Sequence, residues 1–387
     1  MKSKGFSINL RQYGMIIALV FIIIMFGITT GGILFKPMNV SNIIMQNAYV
    51  LILAVGMLFC IITGNVDLSI GSVVAFVGAV SAVFMVNWNM PVWMAVVLSL
   101  LIGALVGAFQ GFFIAYVKIP AFIVTLGGML IFRGLTMVIL KGQTIAPFDE
   151  SFQFIASGFL MKGLKVGGLN TLSILGGALV SILFIFFEVV TRNNKIKYNF
   201  EVSPIHYMAI KIAVIVAAIN VITYRLAQYN GLPIILIIMA LLIIIYSFVA
   251  GQTIAGRHVY ALGGNEKAAK LSGIKTQQVM FWVYTNMGLL SAFAGLVVAG
   301  RLNAATPKAG NGYELDAIAA CYIGGASASG GIGTIVGAIV GGLVMGVLNN
   351  GMSIMGVSVD WQQVIKGFVL LTAVTFDIYS RSKSSPK

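Results

Sequence analysis

Long apolar runs separated by short polar links dominate this chain. Apolar windows recur near residues 13–35, 43–63, 69–86, 92–116, 121–140, 171–190, 208–223, 234–250, 279–300, 315–329, 333–349 and 361–379, about twelve in all. Most are close to the length a helix needs to cross about 30 Å of hydrocarbon. Lipid supplies no hydrogen-bond partners, so helices that close their own bonds are the form such runs take, and the fold class is an all-α polytopic membrane protein. The window at 315–329 is the shortest of the set and reads as a broken or re-entrant helix. The first run is too long for a signal-peptide core and has no small-residue cleavage site, so it reads as a spanning helix.

One interruption stands out from the rest. Residues 251–278 read GQTIAGRHVYALGGNEKAAKLSGIKTQQ and carry Arg257, Lys267, Lys270 and Lys275 against a single acid, Glu266. Within it Asn265 can cap a short helix, Glu266 suits the positive end of that helix, and Gly273 can close it. A capped amphipathic helix carried on one face of a membrane protein is a handle for a soluble partner.

Composition agrees with the pattern. Of 387 residues, 59% are hydrophobic and 9% charged, where soluble domains carry about 25% charge. The formal charge of +14 raises the question of nucleic acid. No Lys/Arg block with interleaved aromatics appears, and nucleic acid is not expected as a partner. Topology explains the charge instead. With the N-terminus inside, fourteen Lys and Arg residues fall in inner segments and seven in outer ones, while Arg133, Lys211 and Lys366 lie within spans. That bias follows the positive-inside rule; an even number of spans then returns the C-terminus to the cytoplasm. Both basic internal links, 191–207 and 251–278, fall inside. Cys60 and Cys321 lie in apolar segments and imply neither a disulfide framework nor a metal site.

No P-loop lysine motif occurs, so the chain has no ATPase site of its own. His206 and His258 read as solvated loop residues without metal-spaced neighbours, and no nucleophile–base pair is present; the chain is not expected to be an enzyme. Asp67, Asp316, Glu188 and Asp377 read as lying near span ends, within reach of water, so the buried carboxylates of ion-coupled carriers are not evident. Neutral polarity is what the spans and their ends offer. The candidate translocation pathway comprises Gln46, Asn47, Asn65, Asp67, Ser69, Gln110, Asn349 and Asn350, with the Asn349–Asn350–Gly351 turn and the Gly64–Asp67 run foremost. Amides and hydroxyls suit a neutral polyhydroxylated solute, since they donate and accept without a charge to desolvate. Hydrogen bonding between helices is the competing reading for single positions.

Small-residue ladders at Gly103, Gly107, Gly111 and at Gly333, Gly337, Gly341 predict close helix contacts. Two stretches are distantly alike, GNVDLSIGS to GALVG (64–107) and ELDAIAA to GAIVG (314–341). The topology sets them in opposite orientation, so that spans 2–5 would repeat inverted as spans 9–12. Chance likeness among Gly/Ala-rich helices is the rival account.

Several segments together resemble the permease subunits of bacterial ATP-binding-cassette monosaccharide importers, the ribose, xylose and galactoside group. They are GNVDLSIGS (64–72), GRHVYALGGNEKAAKLSGI (256–274), ELDAIAACYIGGASASGGIGT (314–334), GGLVMGVLNNGMSIMGV (341–357) and WQQVIKGFVLL (361–371), followed by Asp377. The enlarged middle is most like the xylose or multiple-monosaccharide branch, with an inserted pair of spans beside a core of ten. The resemblance implies a single permease domain over 1–387, in which 40–150 and 279–380 are repeats, 151–250 is a connector, and 251–278 docks an ATPase. Carried onto this chain, the docking element is Gly263, Gly264, Asn265, Glu266, Ala268, Ala269 and Gly273. The same resemblance implies a homodimer in the bacterial cytoplasmic membrane, a cytoplasmic ATP-binding-cassette ATPase, and an extracytoplasmic sugar-binding protein. ATP and Mg would be used by the partner ATPase, with no cofactor bound by this chain. An ion-coupled secondary transporter of a small polar solute is the alternative.

Overall fold

The computed structural model describes residues 10–384 apart from 201 and 203. Lys2, Lys4 and Lys387, the two termini, and the side chains of Arg11, Asp377, Arg381 and Lys383 lie outside what is described. The helices are α1 (Leu10–Thr29), α2 (Pro37–Ile62), α3 (Ile70–Ala82), α4 (Val92–Ala115), α5 (Ala121–Leu140), α6 (Glu150–Ser157), α7 (Thr171–Lys197), α8 (Ile205–Ala227) and α9 (Ile234–Gln252). They continue as α10 (Ile254–Gly264), α11 (Glu266–Leu271), α12 (Thr276–Leu302), α13 (Tyr313–Ile323), α14 (Ile335–Ile354) and α15 (Val359–Ser384). A π-helical turn, Val83–Asn87, prolongs α3. Prolines mark five helix starts: Pro37 within α2, and Pro91, Pro120, Pro204 and Pro233 just ahead of α4, α5, α8 and α9. There the fixed φ suits the chain, and the missing N–H would have had no helical acceptor.

Every expected window contains a helix, and α1 and α15, which fill the first and last windows, run into residues whose side chains are not described. Among the described residues nine helices are long and apolar enough to span: α2, α3 with its π turn, α4, α5, α7, α8, α9, α12 and α14. The eleven residues of α13 rise only about 16 Å, roughly half of the hydrocarbon thickness. The window at 315–329 is therefore a half-helix, and a glycine-rich loop leads from it into α14.

The bundle is organised around α2 and α12, which pack against each other. In the apolar stretch of α2, 78% of positions are buried, against 11% in α7 and none in α8. Around this pair the contacts form two matching sets. Helix α4 and α3 lie on α12, whereas α14 and α13 lie on α2; α3 also packs on α5, and α13 on α15. Small residues permit the closest of these approaches. A Cβ at Gly107 would stand 2.3 Å from the Tyr284 carbonyl oxygen, and one at Gly341 would stand 1.9 Å from that of Ala320. Both contacts are backbone against backbone, where no side chain can yield.

The segment from 141 to 233 is built differently. A two-residue hairpin pairs β1 (Lys165–Val166) with β2 (Leu169–Asn170) across Gly167 and Gly168. Both glycines have positive φ, as the tight hairpin turn with two left-handed positions demands. Asn170 then caps α7, accepting from the Ser173 amide at 3.0 Å. Helices α7 and α8 bind chiefly each other, through Asn220 Nδ2 donating to Ser181 Oγ at 2.9 Å and a Lys211–Glu188 ion pair at 2.8 Å. His206 lies in the first turn of α8 and His258 in α10, so neither is a loop residue.

Candidate functional site

The polar interruption folds as two short helices, α10 and α11, rather than one. Thr253 caps α10, with its Oγ1 accepting from Gly256 N at 3.2 Å. Asn265 ends α10 and caps α11, accepting from the Ala268 amide at 3.0 Å. Glu266 occupies the first turn and Lys270 the last, as the helix dipole favours. Gly273, at φ +85°, closes the arm. Only Ala269 of α11 is buried; Glu266, Lys267, Ala268, Lys270 and Leu271 are exposed, and Leu271 is 90% exposed.

The base of this arm is fixed to the bundle through backbone. A Cβ on Gly263 would fall 1.6 Å from the Ile62 carbonyl oxygen and 2.8 Å from Gly331 N. The Gly331 amide itself donates to that Ile62 oxygen at 2.8 Å. Alongside, the Tyr260 hydroxyl donates to the Gly333 carbonyl at 2.7 Å. The arm thus joins the end of α2 to the loop between α13 and α14. Gly264 has open space at its Cβ position. A 660 Å³ cleft separates the arm from the α4–α5 turn, with Asn65, Lys118, Glu266, Lys270 and Lys275 on its walls.

The candidate pathway residues fall into separate groups. Asp67, Ser69 and Gln110 come together: Asp67 Oδ1 accepts from Ser69 N (2.8 Å) and Ser69 Oγ (2.6 Å), and Gln110 Nε2 donates to Ser69 Oγ at 2.9 Å. Asp67 sits in the link between α2 and α3, outside both helices. Burial pushes its carboxyl up to about 6, opposed by the two Ser69 donors. Asn47 Nδ2 donates to Ile43 O and Gly346 O, bridging α2 and α14. Asn350 and Asn39 exchange two amide bonds at 2.9 and 3.1 Å. Gln46 is half-buried on α2 beside Asn47, and Asn65 donates to Thr63 O at 3.0 Å on the wall of the cleft.

Two sequence expectations are corrected here. Asn349–Asn350–Gly351 is not a turn but lies inside α14, because the chain still has apolar packing to make on both sides of it. Asp67 and Asp316 are not within reach of water; they are 3% and 0% exposed. Asp316 stands in the first turn of the half-helix α13, where Lys366 of α15 pairs with it at 2.9 Å. The Tyr49 hydroxyl donates to the same carboxylate at 2.8 Å and Asn349 Nδ2 at 3.4 Å. Tyr49 also stacks on Tyr313, ring centroids 3.7 Å apart. A buried carboxylate needs such compensation. Sequence reasoning missed this pairing, though a signal existed: Lys366 inside an apolar run requires an opposite charge nearby.

The comparisons with known proteins fit this geometry. Residues 39–374 match the family described as branched-chain amino acid transport system / permease component. The chain is 38% identical to the xylose transport system permease protein XylH of Haemophilus influenzae over 379 residues, 97% of this chain and 98% of the relative. It is likewise 38% identical to XylH of Escherichia coli K12 over 390 residues, 99% of this chain and 96% of the relative. With the ribose import permease protein RbsC of Bacillus subtilis identity is 35% over 376 residues, 97% and 94% of the two chains. No solved structure matches. A multi-pass bundle of apolar helices, matched along nearly its whole length, belongs to this permease family.

Proposed function

We propose that the chain is the membrane-spanning subunit of an ATP-driven importer that carries a monosaccharide, a pentose in the first instance, across the bacterial cytoplasmic membrane. The observation that carries the proposal is the arm. Helix α11 presents Leu271 at 90% exposure, while its root is fixed by backbone to Ile62, Gly331 and, through Tyr260, Gly333. The xylose and ribose named for the relatives supply the solute class.

In this reading an ATP-binding-cassette ATPase in the cytoplasm holds α11, ATP and Mg are consumed there, and an extracytoplasmic sugar-binding protein delivers the solute to a homodimer of this chain. Both termini face the cytoplasm. Cassette closure draws on α11; the junction at Gly263 passes that motion to α2 and to the loop between α13 and α14. Segments 40–150 and 279–380 act as inverted halves joined by 151–250. The exchange of contacts around the α2–α12 pair supports this division, because α4 and α3 lie on α12 as α14 and α13 lie on α2, and α3 packs on α5 as α13 packs on α15. ATP supplies the energy as differential affinity for the closed state, and the bundle supplies two packings. Mild-detergent pull-down of the ATPase by the permease tests the reading. Leu271→Arg and Glu266→Lys are expected to weaken capture at least tenfold without changing the permease melting temperature; undiminished capture contradicts it.

One observation favours a second reading. The buried Asp316–Lys366 pair is the kind of titratable couple that an ion-coupled carrier uses. Under that reading the chain would accumulate solute alone.

A further inference from the structure

A second cleft adjoins the one described and shares Lys275 with it, between α9, α10 and the beginning of α12. Its volume is 560 Å³. Phe59, Tyr246, Val259 and Trp282 give it mostly apolar walls, and its polar lining includes His258 and Lys275. Among the described residues that line it none is acidic. The Tyr246 hydroxyl donates to Asn286 Oδ1 within the wall of the cleft. Lys275 is exposed at the start of α12, and Trp282 is 65% exposed.

The vertical arrangement decides what fits. Lys275 caps the start of the spanning-length helix α12, the end of the helix that a bilayer leaves at its boundary with water, and Trp282 lies seven residues further along, about 10 Å deeper. A positive charge above an apolar slot at that depth matches a phosphate above an acyl chain. A free anion would leave the apolar walls unfilled. A neutral lipid would leave Lys275 without the charge it complements, and at the depth of Trp282 an acyl chain is what an exposed indole meets.

We infer that this cleft is a binding site for an anionic phospholipid, whose headgroup meets Lys275 and His258 and whose acyl chain lies against Trp282 and Phe59. The occupant would touch α10, the root helix of the arm, so lipid composition would bear on the stiffness of that root. The site stands independently of the transport reading, which supplies only the leaflet: the basic rim belongs to the end proposed as cytoplasmic.

The test uses the full-length permease in nanodiscs, with Trp88, Trp93 and Trp361 replaced by Phe so that Trp282 alone fluoresces. Phosphatidylcholine discs are doped with phosphatidylglycerol or with phosphatidylcholine brominated on the acyl chain, at equal mole fraction. Quenching of Trp282 is expected to report about fivefold tighter association of the anionic lipid. Lys275→Gln with His258→Gln should bring the ratio close to one, and inorganic phosphate should not compete. Equal quenching by the two lipids overturns the inference, because Trp282 would then face bulk lipid. A preference that survives the double substitution overturns it as well, as does loss of the preference on adding phosphate. Both lipids occupy both leaflets of the disc, so the result does not depend on orientation, and sugar uptake plays no part in the readout.

Discussion

The two basic links, 191–207 and 251–278, look equivalent in charge, yet the structure treats them in opposite ways. The first joins α7 to α8, two helices whose apolar stretches are 11% buried and unburied, bound mainly to each other. The second forms α10 and α11 and is rooted by Gly263 and Tyr260 in the end of α2 and the loop after α13. Charge alone marks which side of the membrane a link occupies. In the proposed reading, backbone anchorage is what lets a force applied to the second link move the bundle.

Ion pairs sharpen the comparison most. Lys366–Asp316 has side-chain exposures of 17% and 1%, whereas Lys211–Glu188 has 53% and 25%. Lys366→Met is expected to destabilise the permease by about 3–5 kcal/mol, because it strands a buried carboxylate. Adding Asp316→Asn should recover most of that loss. Lys211→Met should cost less than about 1 kcal/mol. Melting of the three variants in detergent checks the contrast; equal losses for Lys366→Met and Lys211→Met break it.

The anchor comes next. Gly263→Ala forces a Cβ against the Ile62 carbonyl and should cost about 3 kcal/mol, with uptake lost while α11 itself remains capped. Tyr260→Phe removes a single hydrogen bond to Gly333, worth about 1 kcal/mol. Sugar moved per ATP hydrolysed is expected to fall while basal hydrolysis persists. A parallel decline of the two rates would mean that Tyr260 merely stabilises the fold.

Asp67 gives a pH dependence. Its carboxyl titrates at about 6 against an ordinary 3.8, so the folded state holds the proton more tightly than the unfolded chain. The stabilising contribution is full below about 3.8 and is lost as pH rises through about 6. Asp67→Asn, which retains an acceptor for Ser69, should flatten that part of the melting profile. The smallest effect is expected at the loose link, where Lys195→Gln with Lys197→Gln should change stability by less than about 0.5 kcal/mol and leave ATPase capture intact.

Much of this architecture was legible in the chain itself. Twelve apolar windows each contain a helix, and the Asn265 cap, the Glu266 placement and the Gly273 closure follow from local rules that act within a few residues. What escaped depends on partners far apart in sequence. Asp316 and Lys366 are fifty residues apart, and the Tyr260–Gly333 bond spans seventy-three. The half-helix nature of 315–329 was visible as short length, but its buried carboxylate was not, since hydropathy reports an acid near a span end without reporting what covers it. Hydropathy equally fails to separate the exposed α7–α8 pair from the buried α2. Small residues mark the α4–α12 and α13–α14 contacts, and only coordinates reveal which partner each ladder meets.

In the proposed reading the bundle has no engine of its own and is moved through its arm by another protein. Xylose and ribose uptake into proteoliposomes tests that directly, comparing this chain alone under an imposed proton gradient with this chain plus its ATPase, binding protein and ATP. Accumulation against the gradient of sugar only in the complete assembly is the predicted result. Accumulation by the chain alone would contradict it and would turn attention to the Asp316–Lys366 couple as the coupling site.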